Sequence, residues 1–219
     1  MIINDFFKKI ICINLDRRPD RWIEVQKQFT KFDIIDVERL SACDGQLLDV
    51  DLYKEHKGEL GSAISHLNAI KRAKILNVEN VLIFEDDLVI KDEIYSYFEV
   101  IKTQLPTNWD MLMFGGNHQG QLQYINSNIN RTSRTFALQM YAVNSKCYDY
   151  LINMLQTEID LALTYNKNTK FVSLAGDYFI ANHMPHLNVY VTNPKLSYQV
   201  DDDFSDIQHT NVNYPFLKN

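Results

Sequence analysis

Three consecutive carboxylates, Glu85, Asp86 and Asp87, directly follow the apolar run at residues 81–84. Adjacent negative charges at the end of a buried strand are costly, because they repel one another and lose solvation. A divalent cation offsets both costs, and hard carboxylate oxygens suit Mg²⁺ or Mn²⁺. The alternative is a solvated acidic turn ahead of a helix, where carboxylates favour the helix dipole.

The spacing of the three acids predicts how they divide between two faces. If the strand geometry persists, Glu85 and Asp87 point to one face and Asp86 to the other. Two carboxylates on one face could hold a cation together with a ligand hydroxyl. A Mg²⁺ or Mn²⁺ ion held in this way keeps coordination positions open for diphosphate oxygens.

Basic and turn-forming residues follow other predicted strands. Arg17, Arg18 and Arg21 come after the apolar run at residues 10–15, and arginine forks suit the recognition of a diphosphate. The alternative is ordinary surface charge on a helix. Asp44-Gly45 has the form of a tight turn beside the sheet edge.

Further polar residues are candidates for contacts with a ligand. His66 lies inside a long predicted helix, where it either contacts a ligand or satisfies a buried hydrogen bond. Residues 115–117 (Gly-Gly-Asn) follow a strand and would let the backbone approach a ligand closely. Asp177, at the start of a possible helix, could cap that helix or act as a base.

The C-terminal tail is polar and acidic from residue 201 onward. Gln199, Ser205 and Asp206 could fold over a ligand, and His209 could supply a neutral imidazole to a metal. Taken alone, each of these tail residues is better explained without a role in a site.

Alternating strands and helices must position these groups. Strands are predicted at residues 10–15, 33–40, 81–84, 110–114, 135–143 and 188–191, with helices over 22–29, 58–76, 94–105 and 148–155. Residues 177–183 are ambiguous, and residues 117–134 show no clear pattern. This order indicates an α/β fold with a mostly parallel sheet. In such sheets ligands bind at the carboxyl ends of the strands.

Composition narrows the class of protein. The 219 residues are 46% hydrophobic and 23% charged, as in an ordinary globular protein. The net charge of −6 argues against nucleic acid as the main partner. Three cysteines show no metal-binding spacing, and neither a signal peptide nor a membrane-spanning run is recognisable. We therefore expect a soluble, cytoplasmic protein without a transmembrane segment.

The ordered set of motifs resembles glycosyltransferase family 25, which includes lipooligosaccharide galactosyltransferases and the collagen galactosyltransferase domains. The matching segments are 13–21 (INLDRRPDR), 42–45 (ACDG), 58–66 (GELGSAISH) and 82–87 (LIFEDD), with weaker matches at Asp177 and the 199–207 tail. The order and spacing of these segments cover most of the chain.

The resemblance implies a single domain of GT-A type over residues 1–219, with a nucleotide-sugar half (1–116) and an acceptor half with the tail (117–219). It implies a UDP-sugar donor, a glycan or glycoprotein acceptor, Mn²⁺ (or Mg²⁺), and inversion at the anomeric carbon. It also suggests a cytoplasmic role in glycan or lipopolysaccharide biosynthesis, or in a host cytoplasm or virion if the source is viral.

The same resemblance gives each candidate residue an expected role. Donor contacts are expected from Asn14, Leu15, Arg17, Arg21, Asp44, Gly45, His66, Glu85 and Asp86, metal contacts from Asp87 and His209, base catalysis from Asp177, and acceptor or tail contacts from Gln199, Ser205 and Asp206. The expected reaction is transfer of a hexose, with galactose favoured and glucose or N-acetylglucosamine possible. The alternatives are a catalytically inactive module that binds nucleotide or glycan, and a metal-dependent hydrolase.

Overall fold

Helices and strands alternate along the part of the chain that the computed structural model describes, residues 2–200, 203–207 and 210–212. The helices are α1 (Ile2–Phe6), α2 (Pro19–Lys31), α3 (Lys54–Ile75), α4 (Ile94–Gln104), α5 (Tyr148–Ala162) and α6 (Gly176–His183). The strands are β1 (Ile10–Asn14), β2 (Val37–Ser41), β3 (Asn80–Glu85), β4 (Leu88–Ile90), β5 (Met111–Met113), β6 (Asn117–His118), β7 (Leu122–Asn126), β8 (Ile129–Thr132), β9 (Thr135–Phe136), β10 (Met140–Asn144), β11 (Val189–Thr192), β12 (Ser197–Gln199), β13 (Asp203–Ser205) and β14 (Thr210–Val212).

A central sheet, eight-stranded within the described residues, has the order β2-β1-β3-β10-β5-β11-β8-β7. Strands β2, β1 and β3 are mutually parallel, and β5 and β11 are parallel to each other. Strands β10 and β8 run against their neighbours. Every strand of the sheet except these two therefore points the same way, which confirms the predicted α/β fold with a mostly parallel sheet.

Two hydrophobic cores cover the two faces of this sheet. Val81 and Ile83 of β3 pack into one core with α3, α5 and α6, whereas Leu82 and Phe84 pack into the other with α1, α2 and α4. The alternation follows from the two-residue period of a strand. A continuous apolar run such as residues 81–84 is what a strand buried on both faces requires.

Most differences from the predicted elements have a local backbone cause. The strand expected over residues 33–40 begins only at Val37, because Asp33 and Asp36 adopt positive φ angles of 47° and 54°. Left-handed residues cannot continue a strand. The strand expected over residues 135–143 is likewise split into β9 and β10, with Ala137 between them at φ 68°.

Two further segments also differ from the prediction. Helix α3 starts at Lys54 rather than at Gly58, so this glycine lies one turn inside the helix. Residues 117–134, which show no clear sequence pattern, form β6 and the antiparallel pair β7–β8. Strand β7 lies at the sheet edge with residues 122–124 exposed, so its side chains carry no buried alternation.

The carboxyl ends of the parallel strands bring the candidate site together. In the register of β1 with its neighbours, Ile13 lies opposite Glu85 and Asn14 lies opposite Ser41. Helix α2 begins directly beyond β1, and the helical turn at Gly45–Leu47 follows β2. In the described ranges no helix combines the length and the apolar character needed to cross a membrane.

Candidate active site

A cavity of about 480 Å³ opens at the carboxyl edge of β1, β2 and β3. This volume lies in the range of small-molecule sites. The predicted site residues that line it are Asn14, Leu15, Arg17, Arg21, Asp44, Gly45, His66, Glu85, Asp86, Asp87, Asp177, Gln199, Ser205 and Asp206. His209 lies outside the described residues.

Asp86 is held at the floor of the cavity by two neighbours. The side-chain amide of Asn14 donates to Asp86 Oδ2 at 2.6 Å, and Arg21 Nη1 donates to Asp86 Oδ1 at 3.2 Å. Burial raises the pKa of Asp86, although Arg21 and Asn14 act in the opposite direction. Both carboxylate oxygens are therefore committed to protein groups that orient the acidic edge.

Glu85 and Asp87 face a common point, although β3 ends at Glu85 and the next two acids lie in a turn. The strand that the prediction assumed does not continue through Asp87. Strand β12 pairs with β4, and this pairing brings the Gln199 amide to 3.5 Å from Glu85 Oε2 and 3.4 Å from Asp87 Oδ2. Asp86 points elsewhere, toward Asn14. The structure thus separates the three acids into a pair and a single residue.

The pair offers the oxygen donors that a hard divalent cation prefers. Within the residues that the structure describes, no three His, Cys, Asp or Glu side chains are grouped so that they could hold a metal ion by themselves. A cation held by Glu85 and Asp87 would therefore need substrate oxygens and water in its remaining positions, as is usual for Mg²⁺ beside phosphates.

His66 orients Glu85 from inside the protein. Its side chain is 2% exposed, and its Nε2 lies 3.0 Å from Glu85 Oε1. Its Nδ1 lies 2.9 Å from the hydroxyl of Tyr141, which is completely buried. Both ring nitrogens thus have protein partners, which agrees with the interpretation of His66 as a buried, hydrogen-bonded residue. His66 also lines the cavity, so the donor contact that the resemblance implies stays a prediction.

The arginines after β1 are engaged by carboxylates. Arg17 Nε donates to Asp44 Oδ2 at 2.7 Å, and Arg17 also bonds to Asp206. Arg18 Nη1 donates to the other oxygen of Asp206 at 2.6 Å. Burial acts to raise the pKa of Asp206, but the bonds from the two arginines outweigh it, so this pKa lies below its ordinary value.

Asp206 belongs to the segment that follows β13 and lies over the cavity. The same segment rests on α3, since a Cβ added at Gly58 would come within 3.1 Å of Ile207 Cα. The predicted tail residues Ser205 and Asp206 therefore reach the cavity along with Gln199.

Gly45 permits the close approach of the Asp44 turn to α3. The Asp44 side chain accepts from the backbone N–H of Gln46 at 3.0 Å and caps the short helical turn. A Cβ at Gly45 would fall 1.8 Å from the carbonyl oxygen of Lys57, so no side chain fits there. The predicted turn is present, and it is packed directly against the helix.

Asp177 lies in the first turn of α6, on the cavity wall with Glu85. Its Oδ2 accepts from the backbone N–H of Ala137 at 3.1 Å. Burial raises the pKa of Asp177, the Ala137 N–H lowers it, and repulsion from Glu85 raises it further. A carboxylate with a raised pKa in a cavity has the property expected of a general base.

The cavity also contains residues that sequence reasoning did not assign to a site. Phe136, Tyr178 and Glu59 line it, and so does Asn117, from the segment 115–117 that the sequence did place near a ligand. Phe136 reaches the cavity because Ala137 interrupts the strand. Tyr178 could have been found from its position beside Asp177, but the signal for Phe136 depends on a strand break that the sequence pattern does not reveal.

Comparisons with known proteins agree with this geometry. A family model described as "Glycosyltransferase family 25 (LPS biosynthesis protein)" matches residues 7–184. A protein of Anopheles gambiae named "Glycosyltransferase 25 family member" is 32% identical over 126 residues, which cover 48% of this chain and 21% of that protein. The chain thus spans about a fifth of the length of this curated relative.

Two solved structures have similar folds at low identity. One is A197 from STIV, with 11% identity, a TM-score of 0.48 and coverage of 94% of both chains. The other is a glycosyltransferase involved in glycosylation of the major capsid of PBCV-1, with 10% identity, a TM-score of 0.47 and coverage of 84% of this chain and 79% of that one. At TM-scores below 0.5, neither likeness carries an argument about function.

Proposed function

The chain belongs to glycosyltransferase family 25, and we propose that it transfers a hexose from a UDP-sugar to a hydroxyl of a glycan or a protein, with the help of a divalent cation. Galactose is the favoured sugar, ahead of glucose and N-acetylglucosamine. The observation that carries the proposal is the approach of Glu85 and Asp87 to one point at the carboxyl edge, in the same cavity as the half-buried carboxylate of Asp177.

Asp87 is the residue proposed to contact the cation directly, with Glu85 beside it. One oxygen of Glu85 is taken by His66, so the other faces the same point as Asp87. A bound Mn²⁺ or Mg²⁺ stabilises the negative charge that develops on a departing diphosphate. Movement of the Gln199 side chain, which makes only long contacts with the pair, would open this position.

The donor would lie along the edge formed by β1 and the turn after it. Asn14 and Arg21 fix Asp86, and this carboxylate is proposed to bind ribose or sugar hydroxyls at its exposed side. Arg17 lies at the same rim and can turn from Asp206 toward a diphosphate, because charge-assisted bonds form equally well to phosphate. A part-exposed ion pair costs little to exchange.

Asp177 is the proposed general base. It would accept the proton of the acceptor hydroxyl as the oxygen attacks the anomeric carbon, while UDP leaves from the opposite side. This geometry gives inversion. A positioned base of this kind typically contributes about 10²–10⁴-fold to the rate.

A screen of nucleotide sugars by UDP release, with Mn²⁺ and with a chelator, tests the proposal. We expect release from a UDP-hexose only when the cation is present, and its loss in Asp87→Asn. Asp160→Asn, on the exposed side of α5, is the matched control and should behave as the wild type. Undiminished turnover by folded Asp87→Asn would show that the metal assignment is wrong, and no release from any donor would refute the function.

A further inference from the structure

Two aromatic residues, Phe136 and Tyr178, line the cavity close to the proposed base, Asp177. Tyr178 follows Asp177 directly in α6, and Phe136 precedes Ala137, whose N–H donates to Asp177. The left-handed conformation of Ala137, with φ 68°, turns the chain at this point. Strained backbone of this kind is concentrated at functional sites. The two rings are therefore fixed relative to the base.

The geometry of the two rings suits a sugar. Their planes are 16° from parallel, their centroids are 6.5 Å apart, and both side chains are only half buried because they line the cavity. An aromatic face is negatively polarised and packs well against the polarised C–H groups of a pyranose. An acceptor sugar stacked here would present a hydroxyl to Asp177.

Arg134 lies beside this aromatic pair, and its guanidinium N–H groups have no hydrogen-bond partner among the described residues. Its Cζ is 5.2 Å from the Phe136 ring centroid and 6.0 Å from that of Tyr178. Within the described ranges its guanidinium makes no hydrogen bond or ion pair. The other arginines all donate to a carboxylate or a carbonyl, including the nearby Arg131, which donates to the Leu187 carbonyl at 3.3 Å.

The negative charge of the cavity indicates which kind of ligand Arg134 could bind. Glu85, Asp87 and Asp177 give this end of the cavity a negative field that repels an anionic ligand. The guanidinium of Arg134, with five N–H donors and within 6.0 Å of the centroids of the two rings that line the cavity, compensates that repulsion at one place.

Building on the proposed function, we infer that Phe136, Tyr178 and Arg134 form the acceptor subsite, and that the acceptor is a sugar carrying a carboxylate or a phosphate. The rings hold the sugar, and the guanidinium holds the anion with bidentate hydrogen bonds. A neutral sugar would stack on the same rings without this contact. Arg134 is thus a specificity-determining residue.

Binding of three model acceptors tests the inference without requiring turnover. The probes are p-nitrophenyl β-glucoside, the corresponding β-glucuronide and the corresponding 6-phosphate, titrated by ligand-detected NMR. We expect wild-type protein to bind the two anionic probes about tenfold more tightly than the glucoside, the size of one charge-assisted hydrogen bond. The stronger of the two anionic probes identifies the anion.

Matched variants make the result decisive. Arg134→Gln should bring the anionic-to-neutral affinity ratio down to about one, whereas Arg131→Gln, which removes a guanidinium that donates to the Leu187 carbonyl, should keep the wild-type ratio. Equal affinities in the wild type, a preference that survives Arg134→Gln, or no glycoside binding would each overturn the subsite. An anionic preference without UDP release from any donor would leave the subsite standing and refute the proposed transferase activity instead.

Discussion

Replacing Asp177 with asparagine separates the chemistry of this side chain from its place in the fold. An asparagine oxygen can still accept the Ala137 N–H, which now reaches Asp177 Oδ2 at 3.1 Å, so α6 should stay in place. The variant cannot take up a proton at neutral pH. We expect the transfer rate to fall about 10²–10⁴-fold, while UDP affinity stays at the wild-type level.

The same substitution should make the protein more stable at neutral pH. The pKa of Asp177 is raised by burial and by repulsion from Glu85, against the opposing Ala137 N–H. The folded state therefore binds this proton more tightly than the unfolded state, and ionisation of Asp177 opposes folding at pH values above its unfolded pKa. Asparagine removes that opposition, so activity and stability change in opposite directions.

Thermal unfolding at pH 7 and pH 4, combined with UDP-release kinetics, measures both effects. The stabilisation of Asp177→Asn over the wild type should be present at pH 7 and shrink toward pH 4, as Asp177 takes up its proton first in the folded state. Wild-type activity should rise with pH through the raised pKa of Asp177. A variant that loses UDP affinity, or one less stable than the wild type at pH 7, would refute the reasoning.

Three other substitutions test the supporting contacts. Tyr141→Phe leaves the buried Nδ1 of His66 without its partner, which should cost about 1–3 kcal/mol and lower the melting temperature by about 2–12 °C; an unchanged melting temperature argues against this bond. Asp206→Asn weakens one carboxylate contact of Arg17 and one of Arg18 and should tighten UDP binding about two- to fivefold by calorimetry; weaker binding would contradict a competition between Asp206 and the diphosphate. Gly45→Ala forces a Cβ onto the Lys57 carbonyl and should lower the free energy of unfolding in urea by about 1–3 kcal/mol. An unchanged midpoint of urea unfolding would show that the turn can move away from α3 without loss of stability.

Local sequence patterns account for the centre of the fold. The run at residues 81–84 alternates between the two cores, and residues 10–13 do the same, so both were predictable as buried strands. The polar residues that come directly after these two strands are recognisable from the same pattern. Parallel strands end at one edge of a sheet, and the acids after β3 line one cavity with Arg17 and Arg21, which follow β1.

The parts that sequence reasoning missed depend on contacts between distant segments. Gly58 was expected to begin a helix, but it lies inside α3, beneath the segment at residue 207. At the strand break, the backbone N–H of Ala137 donates a hydrogen bond to Asp177, which lies 40 residues away along the chain. His66 is hydrogen-bonded to the hydroxyl of Tyr141, which lies 75 residues away along the chain. The hydrophobic periodicity of a single segment gives no information about contacts with distant segments.

Calorimetric titration with UDP, in the presence of Mn²⁺ and of a chelator, tests most directly whether the acidic edge holds a nucleotide diphosphate through a cation. We predict that Mn²⁺ strengthens UDP binding to the wild-type protein and that Asp87→Asn abolishes the difference, while Asp160→Asn retains it. UDP binding of equal strength with and without Mn²⁺, or a Mn²⁺ effect that persists in Asp87→Asn, would contradict the account.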